Sequence, residues 1–498
     1  MCYIAFLITL CRKTHQVLQF IYMKFHIAQI VTLALIANSI AGAFFVEMPA
    51  GRFDFFHMHD AMDHLFTFSL FLAVFVTSFI LLQALLASLY RPVKRKSREE
   101  LPSCTVLIPA FNEGKAVYDT IECVLQSDFP PEKMEVIIID DGSDDDTWEW
   151  ILKAVQKYPE RVRGLRQEVN SGKKRALCRG IAESRNEIII TVDSDSLPVK
   201  NAVSELLIPF NEDPAIGAVA GNIRVRNLQS GLIPRMLDVA FVFGCDFMRC
   251  AQSVTSRVLC TPGAVSAYRK SAVAPLCDKW IHQSFLKAPA TIGEDRALTS
   301  LLLRNGYKVI CQNNAIAYTE VPASYRKLCL MLLRWTRGDI RESILLLPYV
   351  FSRFSLLDWR WTLFQLNVIS QIVGVLLPLV YIPCTVLSFI AFRDHLLFIL
   401  YYFFAMNGIW SLLPAAVYAR RAQLSGALWA FVYGLFNAAA LSWICIYSLA
   451  TLRNSKWLTR KSAGKKKDSG PEQDFILYGK EDSVPPSSGK MPERNYPS

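Results

Sequence analysis

At 498 residues the chain has room for two or three domains, and 52% hydrophobic against 19% charged residues is too apolar for an ordinary soluble enzyme. The net charge of +11 arises from 54 basic and 43 acidic residues. The basic excess sits beside apolar stretches and not in a base-reading motif, which argues against nucleic acid as a partner and for membrane lipids of an inner leaflet. The 13 cysteines are scattered with no CxxC pair or Cys/His cluster, so they read as reduced packing residues.

A membrane helix needs about 20 mostly apolar residues. Residues 27–46, 65–90, 364–392, 395–419 and 427–452 meet that length, two before and three after a long polar middle. Lys24 ahead of the first apolar run imitates a secretory leader, but an anchor keeps the middle domain on the nucleotide side of the membrane. Arg91, Lys94, Arg95, Lys96 and Arg98 follow the second span directly and predict a cytosolic middle, and Arg420 and Arg421 agree. With five spans the basic run from Arg453 to Lys467 would emerge on the far side, against the positive-inside rule. The topology therefore stays open between a re-entrant segment and a further span. Beyond Ser462 the tail has the polar composition of a disordered segment.

The expected organisation is a membrane region over 1–100, a cytosolic domain over 101–324, amphipathic interface helices over 325–360, a second membrane region over 361–452 and a basic tail over 453–498. Within the middle, residues 105–108, 136–139 and 188–192 are short β-branched runs, each followed by polar residues. That pattern predicts an α/β, Rossmann-like domain whose strand ends carry the ligands. Residues 324–351 mix Arg326, Lys327, Arg334, Arg337 and Arg341 with Leu and Met, as in a helix lying at a membrane face.

The first strand closes on Pro109, Asn112 and Glu113, expected as one wall of a nucleotide pocket. The second ends at Asp140 and Asp141, whose carboxylates can accept from a uracil imide and ribose hydroxyls, with Gly142 permitting the turn beyond. In Gly172-Lys173-Lys174-Arg175 a turn offers cations to phosphate ahead of a helix; Lys173 is the expected diphosphate contact, with Lys174 and Arg175 as solvated helix charges. The Walker pattern GxxxxGK[ST] is absent. After the third strand, Asp193 and Asp195 stand one residue apart, a pair able to hold Mg²⁺ or Mn²⁺ against a diphosphate. Further on, Glu294 and Asp295 offer a carboxylate to deprotonate an attacking hydroxyl, Asp295 being the candidate base and Glu294 the next. Arg334 can bind pyrophosphate bidentately, and Trp335 can stack on a sugar ring. Alone, each motif is weak; their order and register with strand ends are not.

That ordered set resembles the processive family-2 glycosyltransferases, the hyaluronan, chitin, poly-N-acetylglucosamine and cellulose synthases. The resemblance covers residues 102–343 by motif and the remainder by span arrangement. It implies a GT-A fold, a UDP-sugar donor, a divalent cation (Mn²⁺ or Mg²⁺), inversion at the anomeric carbon, and a growing polysaccharide acceptor led through the membrane helices of a cell-membrane protein. Gly293-Glu294-Asp295-Arg296 looks most like hyaluronan and nodulation chitin-oligosaccharide synthases, which brings Arg296 into the substrate set. Residues 261–269, containing Gly263, look like the acceptor loop of poly-N-acetylglucosamine synthases. UDP-N-acetylglucosamine is the donor common to these subfamilies, with UDP-glucuronate as a possible second. One departure stands out: the family's QxxRW motif begins here with Met331. The competing readings are a non-processive transferase acting on a lipid and a membrane transport protein with an inactive transferase domain; retention of both DxD carboxylates and Asp295 argues against the latter.

Overall fold

A computed structural model describes residues 58–95, 100–352, 358–391, 396–455 and 477–478. The expected span 27–46 lies outside the described residues. Strand formation follows the β-branched runs. β1 (Cys104–Ala110) is buried at all seven positions, and β2 (Met134–Asp140) at every position but Glu135. Strands this uniformly apolar require cover on both faces, and they have it. On one face lie α2 (Ala116–Leu125), α3 (Thr147–Lys157) and α5 (Ala202–Glu212), contributing Ile121, Ile151 and Leu206. On the other lie α4 (Lys173–Glu183) and α7 (Glu294–Arg304), with Leu177 and Leu302. Burying each such side chain contributes about 2 kcal/mol.

Further strands are β3 (Val162–Arg166), β4 (Ile188–Thr191), β5 (Ser196–Pro198), β6 (Ile216–Val225), β7 (Ser266–Arg269) and β10 (Lys308–Thr319), with β8 (Ser284–Phe285) and β9 (Ala288–Pro289) forming a separate hairpin. With the pair β11 (Leu477–Tyr478) the main sheet runs β11-β3-β2-β1-β4-β7-β6-β10-β5. The expected parallel sheet is interrupted rather than halved. β3, β2, β1 and β4 are parallel, β7 runs antiparallel to both β4 and β6, and β6 and β10 pair in parallel and point the same way as β4. The short strands β5 and β11 run antiparallel to β10 and β3. The motifs at 140, 172 and 193 thus open at the C-terminal edge of the parallel strands β1 to β4.

α6 (Leu232–Val242) runs into a π-helical turn, Phe243–Arg249, that carries Asp246 onto the sheet, where Arg224 (2.6 Å) and Asn222 (3.2 Å) donate to it. α8 (Tyr325–Val350) packs against α7 and leads to α9 (Trp359–Ala391) and α10 (Leu396–Arg421). The last apolar stretch is broken into α11 (Trp429–Phe436), a π turn Asn437–Leu441 and α12 (Trp443–Ala450). Ahead of the sheet, α1 (Met58–Leu89) ends at Tyr90, whose hydroxyl donates to the Cys311 carbonyl at 2.9 Å on β10. Among the described residues, two helical segments are long and apolar enough to cross a membrane, Trp359–Pro383 and Leu424–Leu441. The membrane-face reading of α8 needs a correction: Arg337 and Arg341 are each 1% exposed. They turn inward, Arg337 to the Thr451 hydroxyl (2.7 Å) and Arg341 to that of Ser455 (3.3 Å).

Candidate active site

The floor of the cleft is set by backbone bonds between strand ends. The Asp141 N–H donates to the Ala110 carbonyl at 2.8 Å, joining β1 and β2 at their tips. Asn112, at φ 53°, gives its N–H to Ser143 Oγ (3.0 Å) and accepts from the Asp144 N–H (3.1 Å), while the Glu113 N–H donates to Thr147 Oγ1 (2.9 Å). Asn112 and Glu113 therefore brace the acidic turn. Asp140 is fully buried: its Oδ1 accepts from the Ser143 N–H (3.0 Å) and hydroxyl (2.5 Å), and Arg166 Nε lies 3.3 Å from Oδ2. It shapes the turn from beneath, and burial raises its carboxyl pKa. Asp141 is the one that reaches the loop, accepting from the Ser171 and Gly172 N–H groups at 2.8 Å each. Gly142, at φ 72°, is needed for this closure, because a Cβ there would sit 2.7 Å from the Val169 carbonyl carbon.

Beyond Gly172 the cleft closes around charge. Lys173 Nζ lies 2.5 Å from Asp193 Oδ1 and 3.3 Å from Glu294 Oε1. Burial opposes its charge, but Asp193 and Glu294 outweigh burial and hold the ammonium above its ordinary pKa. Gly263 allows the 261–264 loop to approach, since a Cβ there would lie 2.7 Å from Lys173 Nζ and 3.0 Å from Asp193 Oδ2. Pro109, Lys173, Asp193, Gly263, Glu294 and Asp295 line one small cavity, backed by Tyr268 and Trp280. Asp195 faces the neighbouring turn, with the Ser196 hydroxyl 3.4 Å from its Oδ1.

Glu294 and Asp295 open α7, where carboxylates suit the helix N-terminus. They diverge electrostatically. Burial would raise Glu294, but Lys173 and Arg334 overcome it and hold that carboxyl below the usual range. Asp295 is raised, first by burial and then by the charge of Glu294. Its Oδ1 accepts from the Arg296 N–H at 2.8 Å, and the Cys260 thiol donates to Oδ2 at 3.6 Å. It makes no ion pair among the described residues. Two carboxylates pushed apart in this way differ in what they can do: the ionised form is favoured at Glu294 beside Lys173, and Asp295 holds a proton more readily than an ordinary aspartate.

The turn before them meets α8 at a glycine pair. Gly293 is left-handed (φ 77°), and a Cβ on it would lie 2.9 Å from the Gly338 Cα. This contact sets the Asp295 turn against the helix presenting Arg334 and Trp335. Trp335 is 38% exposed beside Phe241, their ring centres 6.0 Å apart, and lies outside the small cavity. Gly338→Ala is expected to force α8 off the turn and lower transfer by about 10²-fold, as a misplacement near 1 Å can; label incorporation at saturating donor reads it. Arg296, expected at the substrate, is 3% exposed and directs its guanidinium to Gln371 and to Ser343 (3.4 Å), so it anchors α7 to α8 and α9. Lys174 is likewise not a solvated helix charge but buried, 6% exposed. Cys260, Tyr268 and Trp280 join the site although the sequence offered no role for them; Cys260 and Tyr268 come from the 261–264 loop region and β7, and Trp280 from the chain beyond it.

Known proteins resemble this chain in sequence and in fold. Residues 105–276 match the family Glycosyl transferase family 2. The chain is 28% identical over 393 residues to a hyaluronan synthase of Streptococcus pyogenes, covering 78% of this chain and 90% of that one. It is 30% identical over 373 residues to an N-acetylglucosaminyltransferase of Rhizobium leguminosarum bv. viciae, covering 74% and 84%. Among solved structures, a mannosyltransferase from Pyrobaculum calidifontis in complex with GDP-Man and Mn²⁺ shares the fold, with TM-score 0.52, 17% identity and coverage of 75% of this chain and 99% of that one. The strand-end carboxylates and the α7 turn thus sit in a GT-A framework shared with relatives matched along most of their length, and the chain belongs to glycosyl transferase family 2.

Proposed function

We propose that this hexosyltransferase is a membrane-embedded, inverting β-glycosyltransferase that adds N-acetylglucosamine from UDP-N-acetylglucosamine to a growing polysaccharide, with UDP-glucuronate as a second donor if the product is hyaluronan. The observation that carries the reading is the separation of roles around one cavity. Lys173, Asp193 and Glu294 form a paired set on the donor side, and Asp295 stands next to them as a half-buried carboxylate with a raised pKa. The two segments able to cross a membrane support the setting.

In this reading the Asp141 turn holds the base and ribose, and Lys173 exchanges a carboxylate for diphosphate oxygens. Asp193 and Asp195 suit a hard divalent cation, Mn²⁺ or Mg²⁺. Two carboxylates completed by substrate phosphates is the ligand set such an ion takes at a nucleotide diphosphate, and the bound ion would stabilise charge on the departing UDP. Trp335 offers a ring face to the acceptor sugar beside Arg334. Asp295 takes the proton of the acceptor hydroxyl as that oxygen attacks the anomeric carbon from the side opposite UDP, which gives inversion.

The test is incubation of purified protein with labelled UDP-N-acetylglucosamine, with and without UDP-glucuronate, followed by hyaluronidase or chitinase. A polymer is expected, abolished by EDTA and restored by Mn²⁺ or Mg²⁺. Transfer of one sugar to a lipid would overturn the processive reading, and full activity in excess chelator would remove the metal role from Asp193 and Asp195.

A further inference from the structure

Two lysines open α4 and face opposite ways. Lys173 points to the cleft, whereas Lys174 is sealed behind it. Its Nζ donates to the Ala290 carbonyl at 2.7 Å, the Trp280 carbonyl at 3.1 Å and Gln283 Oε1 at 3.1 Å. Three acceptors are matched by the three N–H donors of an ammonium; a neutral amine has two and a lone pair, and would leave one buried acceptor facing that lone pair. The acceptors bracket the β8/β9 hairpin, whose turn holds Leu286 (φ 49°) and Lys287 (φ 63°) in the left-handed region. The same segment is fastened to the catalytic turn. Trp280 Nε1 donates to the Glu294 carbonyl at 3.0 Å, and Gln283 Nε2 donates to Glu342 Oε1 on α8 at 2.7 Å. Ala290 is three residues from Gly293.

We propose that Lys174 is a positioning residue for sugar transfer: its ammonium pins residues 280–290 to the helix that carries Lys173, and so holds the Glu294-Asp295 turn in register with the donor side. The proposal rests on the assignment of Asp295 as the base. The groups facing Lys174 are Glu342 and Arg341 from α8, Glu294 from α7, and Cys178 on its own helix. Burial lowers the ammonium to about 8, Arg341 adds to that, and Glu342 and Glu294 oppose it. The charged form is the one that satisfies all three acceptors, so the clamp is complete below about 8 and loses a donor as pH rises through it.

The experiment compares wild type, Lys174→Met, Lys174→Arg and Asp295→Asn in one detergent, measuring UDP-N-acetylglucosamine affinity by calorimetry and label incorporation across pH. Wild type is expected to lose transfer on the alkaline side with a midpoint near 8. Lys174→Met should transfer about 10²-fold more slowly at neutral pH, with donor affinity within about threefold and no alkaline limb. Lys174→Arg, cationic at every pH and rich in donors, should recover part of the rate and also lack that limb. An alkaline limb that persists unchanged in Lys174→Arg overturns the proposal, as does a normal rate in Lys174→Met or a parallel loss of donor binding. If Lys174→Met does not fold, Lys174→Arg alone decides. Full activity of Asp295→Asn would sink the base assignment instead, and the alkaline limb would still report on Lys174.

Discussion

Asp295→Asn is expected to lower sugar transfer by about 10² to 10⁴, the usual cost of losing a general base, with UDP-sugar affinity within a few-fold of wild type. Asparagine keeps the size of the side chain and can still accept from the Arg296 N–H and the Cys260 thiol, so α7 keeps its start. The proposed donor contacts, Asp141 and Lys173, are not altered by it. The substitution also removes a pH signature. Burial and the charge of Glu294 raise Asp295, so the carboxyl keeps its proton to a higher pH than an ordinary aspartate and works only once that proton is lost. Wild-type kcat therefore rises with pH through this elevated pKa, and the acidic limb disappears in Asp295→Asn. Calorimetry and label incorporation on the same preparations check both halves. Near-normal synthesis would strike Asp295 from the mechanism, and loss of donor binding together with synthesis would make it a structural residue.

Lys173→Met is the second large effect, and it strikes stability as well as binding. The ammonium is 19% exposed between Asp193, 32% exposed, and Glu294, 7% exposed. Removing one member of a buried charge set leaves the others uncompensated, at a cost of about 3 kcal/mol. The pH dependence has a defined sign. Glu294 is held below its unfolded value, so its contribution to stability is present above the usual carboxylate range and lost as pH falls through the lowered pKa. Without Lys173 burial prevails, the Glu294 pKa rises, and the variant is most compromised where wild type is soundest, at neutral pH. Thermal unfolding in detergent at several pH values, with and without UDP, tests this. An unchanged midpoint at neutral pH, or UDP affinity equal to that of wild type, would refute the assigned role.

The donor half was legible because its signals are local. The β-branched runs at 105–108, 136–139 and 188–192 fall within or across β1, β2 and β4, and polar residues follow each at the strand end where the α/β rule places a ligand. The antiparallel strand β7 and the long parallel β6–β10 pairing escaped, since they are specified by partners far apart in the chain. Lys174 shows why. In sequence it is one of three consecutive cations beside a glycine, which reads as a solvated helix start. Its acceptors lie 106, 109 and 116 residues further on, where no spacing rule reaches. Arg296, Arg337 and Arg341 turn inward as well: the family resemblance puts Arg296 at the substrate and local patterning puts the other two at a membrane surface, whereas the packing of α7, α8 and α9 takes them inside. Asp140 and Asp141 are indistinguishable as letters, and only the side of β2 on which each side chain falls separates the brace from the one that faces the loop.

The bond between Tyr90 and the Cys311 carbonyl spans 221 residues, and Val93 meets the side chain of Gln312 across 219. During synthesis, β1 to β4 can pair as soon as Thr191 has left the ribosome, β7 can seat between β4 and β6 once Arg269 has followed, and the tether to Tyr90 waits for β10. Sheets closed by such distant partners assemble slowly and late. A nascent chain halted between Asp195 and Gly293 would own the strand-end carboxylates and Lys173 but no Asp295. The order of translation thus installs the proposed base after the proposed donor site, and on that assignment an unfinished polypeptide has no means of passing sugar to an acceptor.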